Sequence, residues 1–254
     1  MCLILLAHRV HPDYPLIVAA NRDEFYARAT ASAHYWQKPQ EVIAGRDLEA
    51  GGTWLGVSAS GRFAAVTNFT EPPPMEVLRS RGELTLNFLL SDLNGADYAE
   101  SLNGADYRGF NLLLWDGDTL HYGSNRHSGR TLAPGYYGLA NVGLDEDKYR
   151  VTASRDSLIP LMEGANGKSA EALSDALLEV LANPEHPDRP DHDMALDPAR
   201  LAPFIIGAEY GTRASTAVLL GNREVQVTER VFSNGGVEYG TARFQFSVRA
   251  LEAS

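Results

Sequence analysis

An α+β layered sandwich is the fold class this sequence predicts, and three observations predict it. Short apolar runs recur in pairs separated by turn residues, so the strands come as hairpins. Helical periodicity is confined to two bunches, near residues 84–102 and 148–182. The strand–helix–strand alternation of a doubly wound parallel sheet does not run through the chain. At 254 residues the chain can bury a substantial core without staples, and no long polar linker divides it, so one domain over residues 1–254 is expected.

The first element is a hairpin: Cys2 to Arg9, a turn at His11-Pro12-Asp13-Tyr14, then Pro15 to Ala20 running into Asn21-Arg22-Asp23-Glu24. In an antiparallel pair the start of one strand lies opposite the end of the next, so Cys2 and residues 20–23 are expected to be cross-strand neighbours. Residues 31–52, with Gly45 and the pair Gly51-Gly52, read as irregular. A second hairpin joins Trp54–Ser58 to Arg62–Asn68 through Ser60-Gly61, and the prolines after Glu71 stop regular structure. A short helix is expected near 84–90 and a weaker one near 96–102, then strands at 110–115, 120–124 and 136–141. Helices follow at 148–162, despite Pro160, and at 170–182, where Leu173, Leu177, Val180 and Leu181 share a face. Residues 183–203 hold five prolines and read as a surface loop, before closing strands near 215–220, 224–232 and 243–250.

Charge and cysteine usage narrow the function. Lys+Arg 22 against Asp+Glu 33 gives a net charge of −11, which repels phosphate backbones and argues against a nucleic-acid partner. The single cysteine excludes an internal disulfide and suits a reducing compartment, so a cytoplasmic location is expected. The apolar run Leu3 to Ala7 is far shorter than the roughly 20 residues of a membrane span and lacks a signal-peptide pattern.

That cysteine is Cys2. If Met1 is removed, one residue carries both a thiol, with an ordinary pKa of about 8.5, and an α-amine of about 7.7 to 8.0 able to take its proton. Arg22 would lower the thiol pKa, and Asp23 would hydrogen-bond the protonated amine. Asn68 and Asn141, at expected strand ends, offer N–H donors of the type that hold an oxyanion. Arg213, just before a β run, would bind a carboxylate or orient Cys2, and Trp54, beside a Gly-Gly pair, would wall an apolar pocket. Each has a plainer reading: Cys2 as a small buried hydrophobe, the tetrad as a surface ion cluster, the asparagines as turn formers, Arg213 as solvated. His186, Asp188, Asp191, His192 and Asp193 sit in a proline-broken loop without ligand spacing, so no metal is assigned. No nucleotide-binding or zinc-protease motif is present, and no cofactor is expected.

Taken together, Met1-Cys2, Asn21-Arg22-Asp23-Glu24, Gly51-Gly52-Thr53-Trp54-Leu55-Gly56, Thr67-Asn68, Arg81-Gly82, Gly109-Phe110-Asn111-Leu112-Leu113 and Tyr210-Gly211-Thr212-Arg213 resemble the transport-and-Golgi-organisation family, also called NRDE, over almost the whole chain. That family is similar to the cholylglycine hydrolase and penicillin V acylase group of N-terminal nucleophile hydrolases. The resemblance implies a four-layer αββα sandwich with Cys2 as nucleophile, Asn68 and Asn141 at the oxyanion, and Arg22, Asp23 and Arg213 in supporting roles. Asn21, Glu24, Trp54 and Asn111 are the candidate substrate-binding residues. Hydrolases of that group place an arginine three positions before an aspartate, whereas Arg22 and Asp23 are adjacent here. Family members have been linked to secretory-pathway organisation in animals and to haem or acyl-lipid handling. The expected function is hydrolysis of a linear amide or related acyl bond of a small molecule. The alternative is a binding or trafficking protein for an amphipathic ligand, haem or an acyl-CoA-like lipid, using the same pocket.

Overall fold

The protein is described by a computed structural model covering residues 2–37, 41–72, 78–146, 149–185 and 202–248. The candidate metal residues between His186 and Asp193 lie outside the described residues, as does most of the expected 183–203 loop.

The predicted first hairpin forms β1 (Cys2–His8) and β2 (Leu16–Phe25), and its register sets Cys2 opposite Arg22 and Leu3 opposite Asn21. The first sheet is completed by β10 (Gly135–Leu139), β11 (Tyr210–Leu220), β12 (Glu224–Phe232) and β13 (Glu238–Ser247), in the order β10-β1-β2-β11-β12-β13. The second sheet runs β3 (Thr30–Tyr35), β4 (Val42–Asp47), β5 (Leu55–Ser58), β6 (Phe63–Asn68), β7 (Phe110–Trp115), β8 (Leu120–Ser124) and β9 (Arg130–Thr131) in sequence order. Every pairing is antiparallel.

Residues 31–52, expected to be irregular, contain β3 and β4. Thr30-Ala-Ser-Ala-His-Tyr35 is rich in small residues of low β propensity, and tertiary pairing forms the strand: Thr30 and Ala31 pair with Asp47 and Arg46, and the Ala33 N–H donates to Glu229 of the other sheet at 2.5 Å.

Period-two alternation sorts the side chains into three cores. Ile4, Leu6, Leu16, Val18 and Ala20 face the second sheet, where Val57, Phe63, Ala65 and Leu113 meet them. Leu3, Leu5, Ala7, Ile17 and Ala19 face the other way, against α3 (Tyr149–Asp156), α4 (Leu158–Glu163) and α5 (Ala170–Leu181) through Val151, Leu158, Leu173 and Leu177. On the outer face of the second sheet α1 (Gly82–Leu89) and α2 (Gly95–Glu100) bury Leu84, Phe88 and Tyr98 against Val66, Leu112 and Leu114. The result is a four-layer αββα sandwich. Each fully buried Leu, Ile or Phe side chain in it contributes about 1.5–3 kcal/mol by leaving water. Pro160 is tolerated because it falls in the first turn of α4, where backbone N–H groups have no intrahelical partner.

Two connections carry the chain between sheets: the Tyr26–Ala29 corner from β2 to β3, near the start of β1, and residues 132–134 from β9 to β10, near its end, where the Ala133 carbonyl lies 3.0 Å from His8 Nδ1. No helix among the described residues is long and apolar enough to cross a membrane.

Candidate functional site around Cys2

A cleft of about 640 Å³ opens at the first residue of β1, with the ends of β2 and β6, strands β3 and β4, the entry to α1 and the bulge in β11 as its walls. Cys2 lines it, on the face of β1 that carries Ile4 and Leu6. The Cys2 backbone nitrogen donates to Asn141 Oδ1 at 2.8 Å, and Asn141 Nδ2 donates to the Asn68 backbone oxygen. Asn141 lies two residues beyond the end of β10, and Asn68 is the last residue of β6. One amide therefore joins the first residue of one sheet to the rim of the other. Burial is the main influence on the Cys2 thiol and pushes its pKa up; Asp23 adds to this, while Arg22 and a backbone hydrogen bond from Asp23 oppose it.

The tetrad divides along the pleat. Arg22 and Glu24 line the cleft beside Cys2, with Arg22 Nη2 3.7 Å from both Glu24 and Asp47 carboxylates. Arg22 is only 7% exposed, and its Nη1 is buried without a hydrogen-bond partner among the described residues. Asn21 points to the helical side: its Nδ2 donates to Leu181 O and Pro203 O, and its Oδ1 accepts from Ser215. The Asp23 carboxylate accepts from Arg150 Nη2 at 2.7 Å and Thr212 Oγ1 at 2.8 Å, so its side chain braces the helical layer while its backbone reaches Cys2.

Arg213 is the extra residue of a bulge in β11, where the pairing to β2 slips between Thr212 and Ala214. The bulge turns its side chain onto the crossover corner, where Nη1 donates to the carbonyls of Phe25, Tyr26 and Arg28. Trp54 lines the cleft and packs on both the inter-sheet core and the α1 core. Asn111 is fully buried away from it: Nδ2 donates to Thr67 Oγ1 and Val142 O, and Oδ1 accepts from Tyr122. By holding Val142, Asn111 fixes the segment that carries Asn141. The structure thus brings Cys2, Arg22, Glu24, Trp54, Asn68, Asn141 and Arg213 together around one opening, whereas the side chains of Asn21 and Asn111 are spent on internal partners.

Several cleft residues were not candidates from the sequence. Arg81 enters the wall because Gly82, at the start of α1, packs directly on Gly52, whose own Cβ would lie 2.5 Å from the Gly82 backbone. The paired Gly51-Gly52 and Arg81-Gly82 motifs are the only sequence signal of that contact. Burial, and then the neighbouring Arg108, push the Arg81 pKa down to about 10. Arg28 donates to Asp47 at 2.7 Å, and Glu229, 4% exposed, sits on the cleft wall with its pKa raised by burial.

Comparison with known proteins places this geometry in context. Residues 1–234 match the family model described as Transport and Golgi organisation 2. The chain is 36% identical over 255 residues to the Transport and Golgi organization protein 2 homolog of Bos taurus, covering 91% of this chain and 92% of that protein. It is 33% identical to the Homo sapiens homolog, over 98% of this chain and all of the other. Among solved structures, the C2A mutant of the conjugated bile acid hydrolase from Clostridium perfringens superimposes with a TM-score of 0.51 at 9% identity, over 96% of this chain and 92% of that one. That likeness is one of fold.

Proposed function

The chain belongs to the Transport and Golgi organisation 2 family, and from that premise we propose that it is an N-terminal nucleophile hydrolase in which Cys2 cleaves a linear amide or related acyl bond of a small molecule. The observation that carries the reading is the 2.8 Å hydrogen bond from the Cys2 nitrogen to Asn141 Oδ1 at the wall of a cleft. A nucleophile that uses its own amine as base needs that nitrogen fixed, and an amide oxygen fixes it without adding charge.

Removal of Met1 turns the Cys2 nitrogen into an α-amine basic enough to accept the thiol proton. The sulfur then attacks the acyl carbon, and the carbonyl electrons move onto oxygen. Asn68, whose side chain lines the cleft without a hydrogen-bond partner among the described residues, donates to that oxyanion. The Asn141 N–H not spent on the Asn68 carbonyl is the second donor. Collapse breaks the C–N bond as the ammonium returns its proton to the leaving nitrogen, and a thioester remains. Water, deprotonated by the same amine, attacks that thioester; the thiolate leaves, regains a proton, and the acid product departs.

A non-catalytic reading, with the cleft carrying an amphipathic ligand, draws on one observation: burial holds the Cys2 thiol above its ordinary pKa, the direction opposite to activation. The two readings separate in one experiment. Intact mass of the purified protein is expected to lack Met1, and a panel of amides and thioesters is expected to yield acid product at a rate that Cys2→Ala lowers roughly 10³-fold or more. Retained Met1, or turnover undisturbed in Cys2→Ala, defeats the hydrolase.

A further inference from the structure

The cleft is cationic in a chain that is strongly acidic. Arg46, Arg81, Arg108 and Arg213 all line it, and their hydrogen bonds go to backbone carbonyls alone: Gly51, Gly109, Glu71 with Pro72, and the 25–28 corner respectively. None of the four pairs with a carboxylate among the described residues. Arg22, Arg28 and Arg79 also line the cleft and do have acidic neighbours. Seven arginines thus line the cleft with four acidic residues, Asp23, Glu24, Asp47 and Glu229, and the carboxylates of Asp23 and Glu229 are turned to other work; Glu49 and Glu83, outside the lining, pair with Arg28 and Arg79.

Arg81 is the centre of this excess. It lines the cleft with Cys2 and Arg108, and it feels Arg108 and, more weakly, Arg28 as like charges against the opposite charge of Glu71. The Glu71 carboxylate, whose charge Arg81 feels and whose backbone oxygen Arg108 bonds, is held by the Gly109 N–H at 2.9 Å and by Arg126 at 2.7 Å. Arg108 Nε and Arg22 Nη1 are buried polar atoms without hydrogen-bond partners among the described residues. Like charges crowded in a half-buried cleft, with donors left unmade, destabilise the empty protein and are relieved by an anion. The walls between them are partly apolar, through Trp54, Val66 and Leu78.

We propose that the acyl substrate of this cleft carries an oxyanion, carboxylate or phosphate, bound by Arg81 and Arg108 while the acyl group extends past Trp54 to Cys2. This rests on the hydrolase reading for the word substrate, and the test is made on binding, so the two fail separately. The full chain with Cys2→Ala is titrated calorimetrically with two matched pairs: N-decanoylglycine against its glycinamide, and N-decanoyl-O-phosphoethanolamine against N-decanoylethanolamine. At least one charged member is expected to bind about tenfold or more tightly than its neutral partner, with affinity falling as salt is added. Which pair shows the difference identifies carboxylate or phosphate. Arg81→Gln, checked for an unchanged melting curve, is expected to remove most of the discrimination while leaving the neutral members as they were; Arg108→Gln serves if Arg81→Gln does not fold. Equal affinity within both pairs, no saturable binding of any of the four, or an equal loss for charged and neutral members in the variants overturns the proposal.

Discussion

The two faces of β2 offer a controlled comparison, because four consecutive residues on one strand meet two different environments. On the helical face Asn21 and Asp23 are saturated: three hydrogen bonds hold the Asn21 amide, and Arg150 and Thr212 bond the Asp23 carboxylate at 2.7 and 2.8 Å. On the cleft face Arg22 approaches two carboxylates only to 3.7 Å and keeps a buried donor unmade. Arg150 on the helical face also has a buried Nη1 without a partner among the described residues, so what separates the two faces is the close bonding of Asn21 and Asp23 against the long ion pairs of Arg22. The alternation of the strand alone divides the tetrad into a half that braces the helical layer and a half that lines the cleft.

The sharpest way to break that comparison is at Asp23. Asp23→Ala leaves the Arg150 guanidinium, 5% exposed at its side chain, without its anionic partner in the interior. Removing one member of a buried pair costs about 3–5 kcal/mol. Because Arg150 also donates to Ala202 O and Pro203 O, the loss is expected to loosen the Ala202–Pro203 stretch ahead of β11. Urea denaturation measures it. A loss below about 1 kcal/mol would show that the helical face does not brace the sheet.

Glu229 gives a smaller and pH-dependent effect. It joins the sheets through Ala33 and lies on the cleft wall, and burial raises its pKa. The unfolded chain ionises this residue near pH 4.3. Below that pH both states are protonated and its contribution is fully present; as pH rises through the folded value, stability is lost. Glu229→Gln keeps the acceptor for the Ala33 N–H and does not ionise. Its melting temperature relative to the parent is therefore expected to rise between about pH 4.5 and 7, and a difference that is flat with pH removes Glu229 from the account.

Much of this frame was legible in the sequence because it depends on local pattern. The β1–β2 hairpin follows from two apolar runs about one turn signal, and with it the position of Arg22 opposite Cys2. The β3–β4 pair was not legible, since its small residues form a strand only once Glu229 and β4 supply partners. Nor were the roles of Asn21 and Asp23 within the tetrad, because Arg150 and Thr212 lie more than a hundred residues away and have no pattern linking them to it. Arg81 figures only in the Arg81-Gly82 motif and Arg108 carries no signal of its own, and it is the contact of Gly52 with Gly82 that carries Arg81 into the cleft wall.

Arg22→Gln probes the cleft face, and here the effect on stability is expected to be the smallest. Its ion pairs are long, and Asp47 keeps Arg28 at 2.7 Å when Arg22 is gone. Loss of a poorly satisfied buried charge also removes its desolvation cost, so the change in unfolding free energy should stay within about 1 kcal/mol. The chemistry should respond instead. Arg22 is one of the influences that lower the Cys2 thiol pKa against the larger effect of burial, so without it the thiolate forms at higher pH. The midpoint of the pH profile for alkylation of Cys2 by iodoacetamide is expected to move upward, with a slower rate near pH 7.5 than in the parent, a direction set by the charge removed. Were Arg22→Gln to lose as much stability as Asp23→Ala while leaving the alkylation profile in place, the two faces of β2 would be doing the same job, and the division drawn from the pleat would fall.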